Sequence, residues 1–324
     1  MKARGGIDLG GTKIQAVVVD GRNAVRGQAR RPTPAEGGPE AVTADMARAV
    51  ADAAAEAEIE TGELAGVGVG SPGAVAAADG TVAQAVNVSP EWVEAYPLAR
   101  ELGRTLGTKV LLGNDVQVAT DAEYRLGAGR AYDSLLGVFW GTGVGGGLVL
   151  DGKPWLGRGA AGEIGHMVVK RGGARCGCGR RGCMEAYAGR AAMEKRARRK
   201  ARRGTDTKLF EIMEKQGKPK LTSGVWARAL EADDDLARKL IARAVKALGA
   251  GVASAVNLLD VEAVVIGGGL GIRFGETHLE RIKAAMAPHL FESARPPAIH
   301  VAALGDLGGA VGAALLAERS GAGR

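Results

Sequence analysis

The chain alternates short apolar runs closed by glycine with longer stretches whose apolar residues recur three and four positions apart. The first pattern predicts strands and the second helices. Two strand segments look alike. Residues 5–21, GGIDLGGTKIQAVVVDG, and residues 136–152, LGVFWGTGVGGGLVLDG, each run apolar strand, Gly/Thr turn, apolar strand and Asp-Gly. Glycine permits the positive φ such turns need. Two like units in one chain predict a duplicated domain with a cleft between the copies.

Other elements follow from the same pattern. Residues 40–60 and 92–106 read as helices, 66–73 as a buried strand running into a turn, and 109–115 as a strand. A helix over 116–127 follows Asp115 directly. Residues 233–259 read as a long amphipathic helix whose acidic start, Asp233 to Asp235, complements the helix dipole. Residues 261–269 read as a strand ending in glycines, 298–304 as a late strand and 307–319 as a final helix. Pro32, Pro34 and Pro39 mark a loop after the first hairpin. Strands alternating with helices predict α/β architecture, with largely parallel central strands flanked by hairpins.

Composition narrows this. The chain has 324 residues, 46% apolar and 4% aromatic, with 52 glycines. That length suits two domains, with cores built mainly from Ala, Val, Leu and Ile. No apolar run approaches bilayer-spanning length, and the first residues move straight into a strand with no targeting signal. The cytoplasm is the expected location. The formal net charge is +7, and residues 190–208 hold nine Lys or Arg. A basic helix can bind a polyanion. Without interleaved aromatics to stack on bases, a solvated helical face is the better reading and nucleic acid is not the expected partner.

Several groups of residues carry chemistry. In Asp8-Leu-Gly10-Gly11-Thr12-Lys13, the glycine turn exposes backbone N–H groups suited to phosphate oxygens. Asp8 can hold Mg²⁺ directly or through water, and Lys13 adds charge. An ordinary hairpin turn is the alternative. The second turn, Gly141-Thr142-Gly143, strengthens the phosphate reading, since two such turns can clasp one nucleotide. Asn114 and Asp115 follow a strand, at the edge where parallel sheets bind ligands. A carboxylate there can take a proton from a hydroxyl and Asn114 can bind a neighbouring one; both residues also cap helices well. All three cysteines, Cys176, Cys178 and Cys183, fall within eight residues. With His166 they make a tetrahedral zinc set. A redox pair would favour Cys-x-x-Cys beside a helix, which is not the spacing here, and an odd count argues against a secreted disulfide framework.

Taken in order, Asp8-x-Gly-Gly-Thr-Lys, Gly70-Ser-Pro-Gly73, Asn87 with Trp92, Asn114-Asp115, Gly141-Thr142-Gly143, Glu163-x-x-His166, Cys176-Gly-Cys-Gly-x-x-Gly-Cys183-x-Glu185 and Gly267-Gly268-Gly269 resemble the ROK family of sugar kinases and repressors over essentially the whole chain. Within it they look most like bacterial ATP-dependent glucokinases. The resemblance implies a two-domain actin/hexokinase/Hsp70-like ATPase fold, a duplicated ribonuclease H-like core with a central cleft. It implies a small α/β domain over 1–115 plus 305–324 and a large one over 116–304 carrying the zinc loop. It also implies phosphorylation of the glucose 6-hydroxyl by ATP with Mg²⁺ and a structural Zn²⁺, in a homodimer or homotetramer. Asp115 becomes the base. Gly73, Asn87, Asn114, Glu163, His166 and Glu185 become sugar ligands. Asp8, Gly10, Gly11, Thr12, Lys13, Thr142 and Gly143 surround Mg²⁺ and the phosphates, and Gly267 to Gly269 admit the adenosine. Another hexose, such as N-acetylmannosamine, fructose or allose, and a sugar-sensing regulator without catalysis are the alternatives. The cysteine cluster favours ATP over polyphosphate as donor.

Overall fold

A computed structural model describes residues 2–319; Met1 and the last five positions of the small domain expected at 305–324 lie outside the described residues. Two compact units are present. One takes residues up to 130, 156–161 and from 303 on; the other takes 131–155 and 162–302.

In chain order the first unit contributes strands β1 (Arg4–Leu9), β2 (Lys13–Val19) and β3 (Val25–Pro32), helix α1 (Gly38–Glu56) and strands β4 (Val67–Ser71), β5 (Ala74–Ala76) and β6 (Thr81–Ala83). Helix α2 (Leu98–Leu106), strand β7 (Val110–Asn114) and helix α3 (Asp115–Leu126) complete that run. The second unit contributes strands β8 (Leu135–Trp140), β9 (Val144–Leu150) and β10 (Lys153–Pro154), then helices α4 (Glu185–Ala188), α5 (Arg190–Ala201), α6 (Leu209–Lys215), α7 (Ser223–Glu231) and α8 (Asp235–Leu259). Strand β11 (Ala263–Gly267), helix α9 (Gly268–Met286) and strand β12 (Ala298–Val301) follow, and helix α10 (Gly308–Arg319) belongs to the first unit again.

The two main sheets share one plan. Their orders are β3-β2-β1-β4-β7 and β10-β9-β8-β11-β12. In each, an antiparallel meander leads into parallel strands: β1 pairs parallel with β4 and β4 with β7, while β11 pairs parallel with both β8 and β12. The two look-alike segments are the leading hairpins, so Gly10–Thr12 and Gly141–Gly143 occupy equivalent turns. The duplication expected from the sequence is present.

Strand β2 shows why the first sheet is buried on both faces. Ile14, Ala16 and Val18 join the core with α1 and α2, while Val17 and Val19 join Ala310, Val311 and Ala314 of α10. Glycine brings α10 close: a Cβ at Gly68 of β4 would lie 1.8 Å from the carbonyl oxygen of Ala313. The Gly-Val-Gly-Val-Gly run is therefore a helix-docking strip, with valines on the opposite face.

Three expectations change. The helix expected over 92–106 starts only at Leu98. Pro97 disfavours helical backbone at Tyr96, and the Trp92 indole is spent on Val82, donating to its carbonyl at 2.9 Å. The residues just before the loop at Pro32, Pro34 and Pro39, for which the pattern predicts no element, form β3, an edge strand with mostly exposed side chains whose polar sequence hides it. Finally, α8 is long and apolar enough to cross a membrane by length and composition, but 67% of its most apolar window is buried. Leu248, Val252 and Ile241 have no exposed surface, so α8 is a core helix. Its N-cap is Asp234, whose carboxylate accepts the Ala237 N–H at 2.7 Å.

Candidate active site

In the first unit, the parallel strands bring their C-terminal ends to one edge. Asp8 is in register with Gly70, Gly70 with Gly113, and Ser71 with Asn114. A Cβ on Gly70 would lie 3.3 Å from Asp115 Cα. Asp115 therefore rests over the strand that pairs with Asp8. This edge is where open α/β sheets hold ligands.

The turn after Asp8 is tightly held. Gly10 N–H donates to the Lys13 carbonyl at 2.9 Å, and Thr33 donates through Oγ1 to the Gly10 carbonyl at 2.6 Å. Nothing in the sequence marked Thr33. A Cβ at Gly11 would stand 2.2 Å from the Asn87 carbonyl oxygen, so the turn and Asn87 are in contact. Gly73 has φ +89° and faces the Ala83 carbonyl, so only glycine fits there comfortably. Burial pushes the Asp8 carboxyl above its ordinary range; Lys13 opposes this and Asp306 adds to it. Lys13 Nζ stands 4.0 Å from Asp306.

Asn114 does cap α3. Its Oδ1 accepts the N–H groups of Val116 and Gln117 at 3.1 and 3.2 Å. Asp115 Oδ1 accepts the Val116 N–H at 2.9 Å. The first turn of a helix favours an ionised carboxylate, so the cap and the candidate base are consistent with each other.

Glu123, on the same helix, was not legible as important. It is 2% exposed, and its carboxylate accepts N–H groups from Ala128, Ala303 and Leu304 at 2.9, 3.0 and 2.9 Å. It anchors the chain that enters α10, whose Gly309 lies against the Asp8 carboxylate. Glu123→Ala leaves three donors unpaired and is expected to cost about 3–5 kcal/mol, read from the urea midpoint. Wild-type stability would show that Glu123 anchors nothing.

In the second unit, the parallel strands β8 and β11 end together. A Cβ at Gly268, which has φ +79°, would lie 2.7 Å from the Trp140 carbonyl oxygen, and one at Gly141 would lie 3.9 Å from the Gly269 nitrogen. The Gly141-Thr142-Gly143 turn and the Gly267–Gly269 run are thus neighbours. Helix α9 opens from that run and is broken at Gly275, where the backbone leaves the helical region with φ +51°. The same turn is backed by α5: Arg190 and Ala191 N–H groups donate to the carbonyls of Gly141 and Thr142 at 3.1 and 3.0 Å.

The sulfur cluster lies in this unit too. His166, Cys176, Cys178 and Cys183 offer ligand atoms all within 4.8 Å of one another. His166 Nδ1 is 3.8 Å from Cys176 Sγ, and Cys178 and Cys183 sulfurs are 3.8 Å apart. Zn–S bonds of about 2.3 Å in a tetrahedron put sulfurs about 3.8 Å apart, so the donor set fits zinc. Cys176 and Cys183 are buried and no cysteine is in a disulfide. Without a metal, burial pushes the Cys176 thiol up to about 12, while the Arg180 backbone N–H draws Cys178 down to about 7.

Both glutamates flank the cluster. Glu163 Oε2 is 3.9 Å from His166 Nε2, the ring nitrogen turned away from the sulfur of Cys176. Glu185 is held from two sides: Oε1 accepts from Cys176 Sγ at 3.5 Å and Oε2 from the Val144 N–H at 3.1 Å. Its carboxylate therefore links the cluster to the Gly/Thr turn, a contact the sequence did not suggest.

Comparison with known proteins adds family information. The ROK family model matches residues 4–320. N-acetylgalactosamine kinase AgaK of Shewanella sp. (strain ANA-3) is 33% identical, covering 96% of this chain and 95% of that protein. A glucokinase of Streptomyces coelicolor is 34% identical over 97% of this chain and 96% of its own. Among solved structures, a ROK family glucokinase from Streptomyces griseus in complex with glucose and AMPPNP superposes with a TM-score of 0.84 at 32% identity, covering 98% of this chain and 99% of that one.

Proposed function

The chain belongs to the ROK family and is a sugar kinase of actin/hexokinase-like fold; from that premise we propose that it transfers the γ-phosphoryl group of ATP to the 6-hydroxyl of glucose. The observation that carries the mechanism is the placement of Asp115 over the strand that pairs with Asp8. A base and an anion-binding turn then share one sheet edge.

In this reading Asp115 accepts the 6-hydroxyl proton as the sugar oxygen attacks phosphorus and the bond to the β-phosphate oxygen breaks. The proton moves late, because phosphoryl transfer has a loose transition state and needs positioning more than deprotonation. Asn114 uses Oδ1 for its cap, and its Nδ2 donates to the adjacent hydroxyl. Gly73 and Asn87 serve the 3-hydroxyl side; Glu163, His166 and Glu185 bind the remaining hydroxyls. Asp8, Gly10, Gly11, Thr12 and Lys13 hold the phosphates and Mg²⁺. The half-buried Asp8 carboxylate, with its raised pKa, is a group that a cation relieves, and Mg²⁺ would supply charge neutralisation on the transferred phosphate. Thr142 and Gly143 take phosphate oxygens in the second unit, and Gly267 to Gly269 leave room for the nucleoside. Zn²⁺ on His166, Cys176, Cys178 and Cys183 is structural. The same reading places the enzyme in the cytoplasm, feeding glycolysis.

N-acetylhexosamines form the second reading, motivated by the similarity to an N-acetylgalactosamine kinase. A panel of glucose, mannose, fructose, allose, N-acetylglucosamine, N-acetylgalactosamine and N-acetylmannosamine, with ATP or polyphosphate and coupled product detection, decides between them. Glucose with ATP is expected to give the highest kcat/KM. An N-acetylhexosamine ahead by more than about tenfold, roughly 1.4 kcal/mol of transition-state binding, overturns the glucose assignment. No sugar-dependent ADP release with any member overturns the kinase.

A further inference from the structure

Arg190 was read in the sequence as one cation of a solvated basic run. Its geometry sets it apart. Arg190 opens α5, and its guanidinium is half-buried. Nη1 donates to the Leu221 carbonyl at 3.0 Å, and Nη2 donates to Thr142 Oγ1 at 2.7 Å. Among the described residues, no carboxylate forms an ion pair with it. The acid four residues along, Glu194, is engaged elsewhere: Arg198 donates to its Oε1 at 2.6 and 2.9 Å and Leu221 N–H to its Oε2 at 3.0 Å. A cation at a helix N-terminus is disfavoured by the dipole, and partial burial adds to that cost, which the nearby charge of Glu194 offsets only in part. A protein retains such an arrangement where the local positive potential has a use.

Thr142 shows what that use is. Its side chain is exposed and lies in the Gly/Thr turn. A hydroxyl has one donor and two acceptor positions. With a guanidinium N–H on one lone pair, the Thr142 proton is steered away from Arg190. Phosphate oxygens only accept, so a turn that holds phosphate needs this hydroxyl as a donor.

We infer that Arg190 is a positioning residue for the donor nucleotide: it fixes Thr142 Oγ1 as a hydrogen-bond donor to a phosphate oxygen. The inference rests on the kinase reading above and deepens it by adding a residue to the nucleotide half of the reaction.

The experiment compares Arg190→Gln, Arg190→Lys, Thr142→Val and the Gln/Val double variant by steady-state kinetics on the preferred sugar. Arg190→Gln is expected to raise KM for ATP about 10- to 100-fold, the range that loss of a charge-assisted hydrogen bond produces, with sugar KM within about twofold of wild type. Arg190→Lys keeps the charge without the fork and is expected to fall between. If Arg190 acts through Thr142, the double variant is no worse than Thr142→Val by more than about threefold, because the two losses share one interaction. Sugar KM also serves as the folding control. Should Arg190→Gln fail to fold, Thr142→Ser against Thr142→Val reads the same hydroxyl, with Ser near wild type expected. A wild-type KM for ATP in Arg190→Gln, equal rises in ATP and sugar KM, or fully additive effects overturn the inference. A wild-type protein that phosphorylates no sugar overturns the kinase reading instead, so the two failures are distinct.

Discussion

Asp115→Asn is expected to lower kcat for sugar phosphorylation by about 10²- to 10⁴-fold, the usual contribution of a positioned general base. The substitution isolates chemistry from structure. The Val116 N–H bonds Oδ1 of Asp115, and asparagine keeps an oxygen in that place. The Asn114 cap is untouched. Only the first-turn charge is lost, worth about 0.3–1 kcal/mol of helix stabilisation, so the unfolding midpoint moves little. The asparagine amide still hydrogen-bonds the hydroxyl, so sugar KM is expected to stay within a few-fold of wild type while kcat and kcat/KM fall together. That is the signature of an interaction made only in the transition state. Initial-rate kinetics with a purified variant, checked by circular dichroism, measures it. A kcat within tenfold of wild type in a folded protein would assign the base elsewhere.

The second large effect is expected from zinc removal. Three thiolates and a neutral imidazole must form for the metal to bind, so binding releases protons and the affinity falls as pH falls. The thiol of Cys176, pushed up to about 12 by burial, holds its proton most firmly in the metal-free protein. Chelation is therefore expected to proceed faster at pH 6 than at pH 8. The stripped protein is expected to unfold at lower temperature and, because Glu163 and Glu185 lose their fixed backing, to show a sugar KM raised about 10- to 100-fold, the range seen when outer support of a site is lost. Cys183→Ser, at a fully buried position, is expected to behave like the stripped protein. Metal analysis, thermal unfolding and sugar titration read the three effects. A zinc-free protein with unchanged stability and sugar KM would separate the cluster from the site.

Much of the fold was legible because its strongest signals are local. The two hairpins announce themselves by apolar strands around Gly/Thr turns, and the α/β class follows from alternation. The cluster of His166 with three cysteines was legible because ligand spacing is a short-range property. What failed depended on partners far along the chain. Strand β3 is polar because it lies at an edge, and an edge strand carries no buried stripe. Trp92 to Tyr96 looked helical by spacing, yet Pro97 and the Val82 carbonyl decide that segment. Glu123 reads as one more acid on a helix until the carbonyl-end loop at 303–304 closes on it. Arg190 was hidden inside a run of cations, and only its two hydrogen bonds separate it from its neighbours. Gly70 gave no sign that it seats Asp115. Sequence reports the chemistry a residue can do; which of two similar residues does it depends on a contact with a residue distant in sequence.

Glu185 has one oxygen toward Cys176 and the other on the Val144 N–H, at the end of the Gly141–Gly143 turn. Zinc makes Cys176 a thiolate that no longer donates, so in the metal-bound protein Glu185 is tied to the cluster by its two-residue link to Cys183 and to the turn by Val144, and a displacement of one support passes to the other. If the turn tightens on phosphate and Glu185 reads the sugar, each substrate improves the other's affinity by the same factor, since linkage is reciprocal. The zinc loop then acts as more than a clamp: through a single carboxylate it makes occupancy of the two substrates a joint event, and it discourages spending ATP when no sugar is bound.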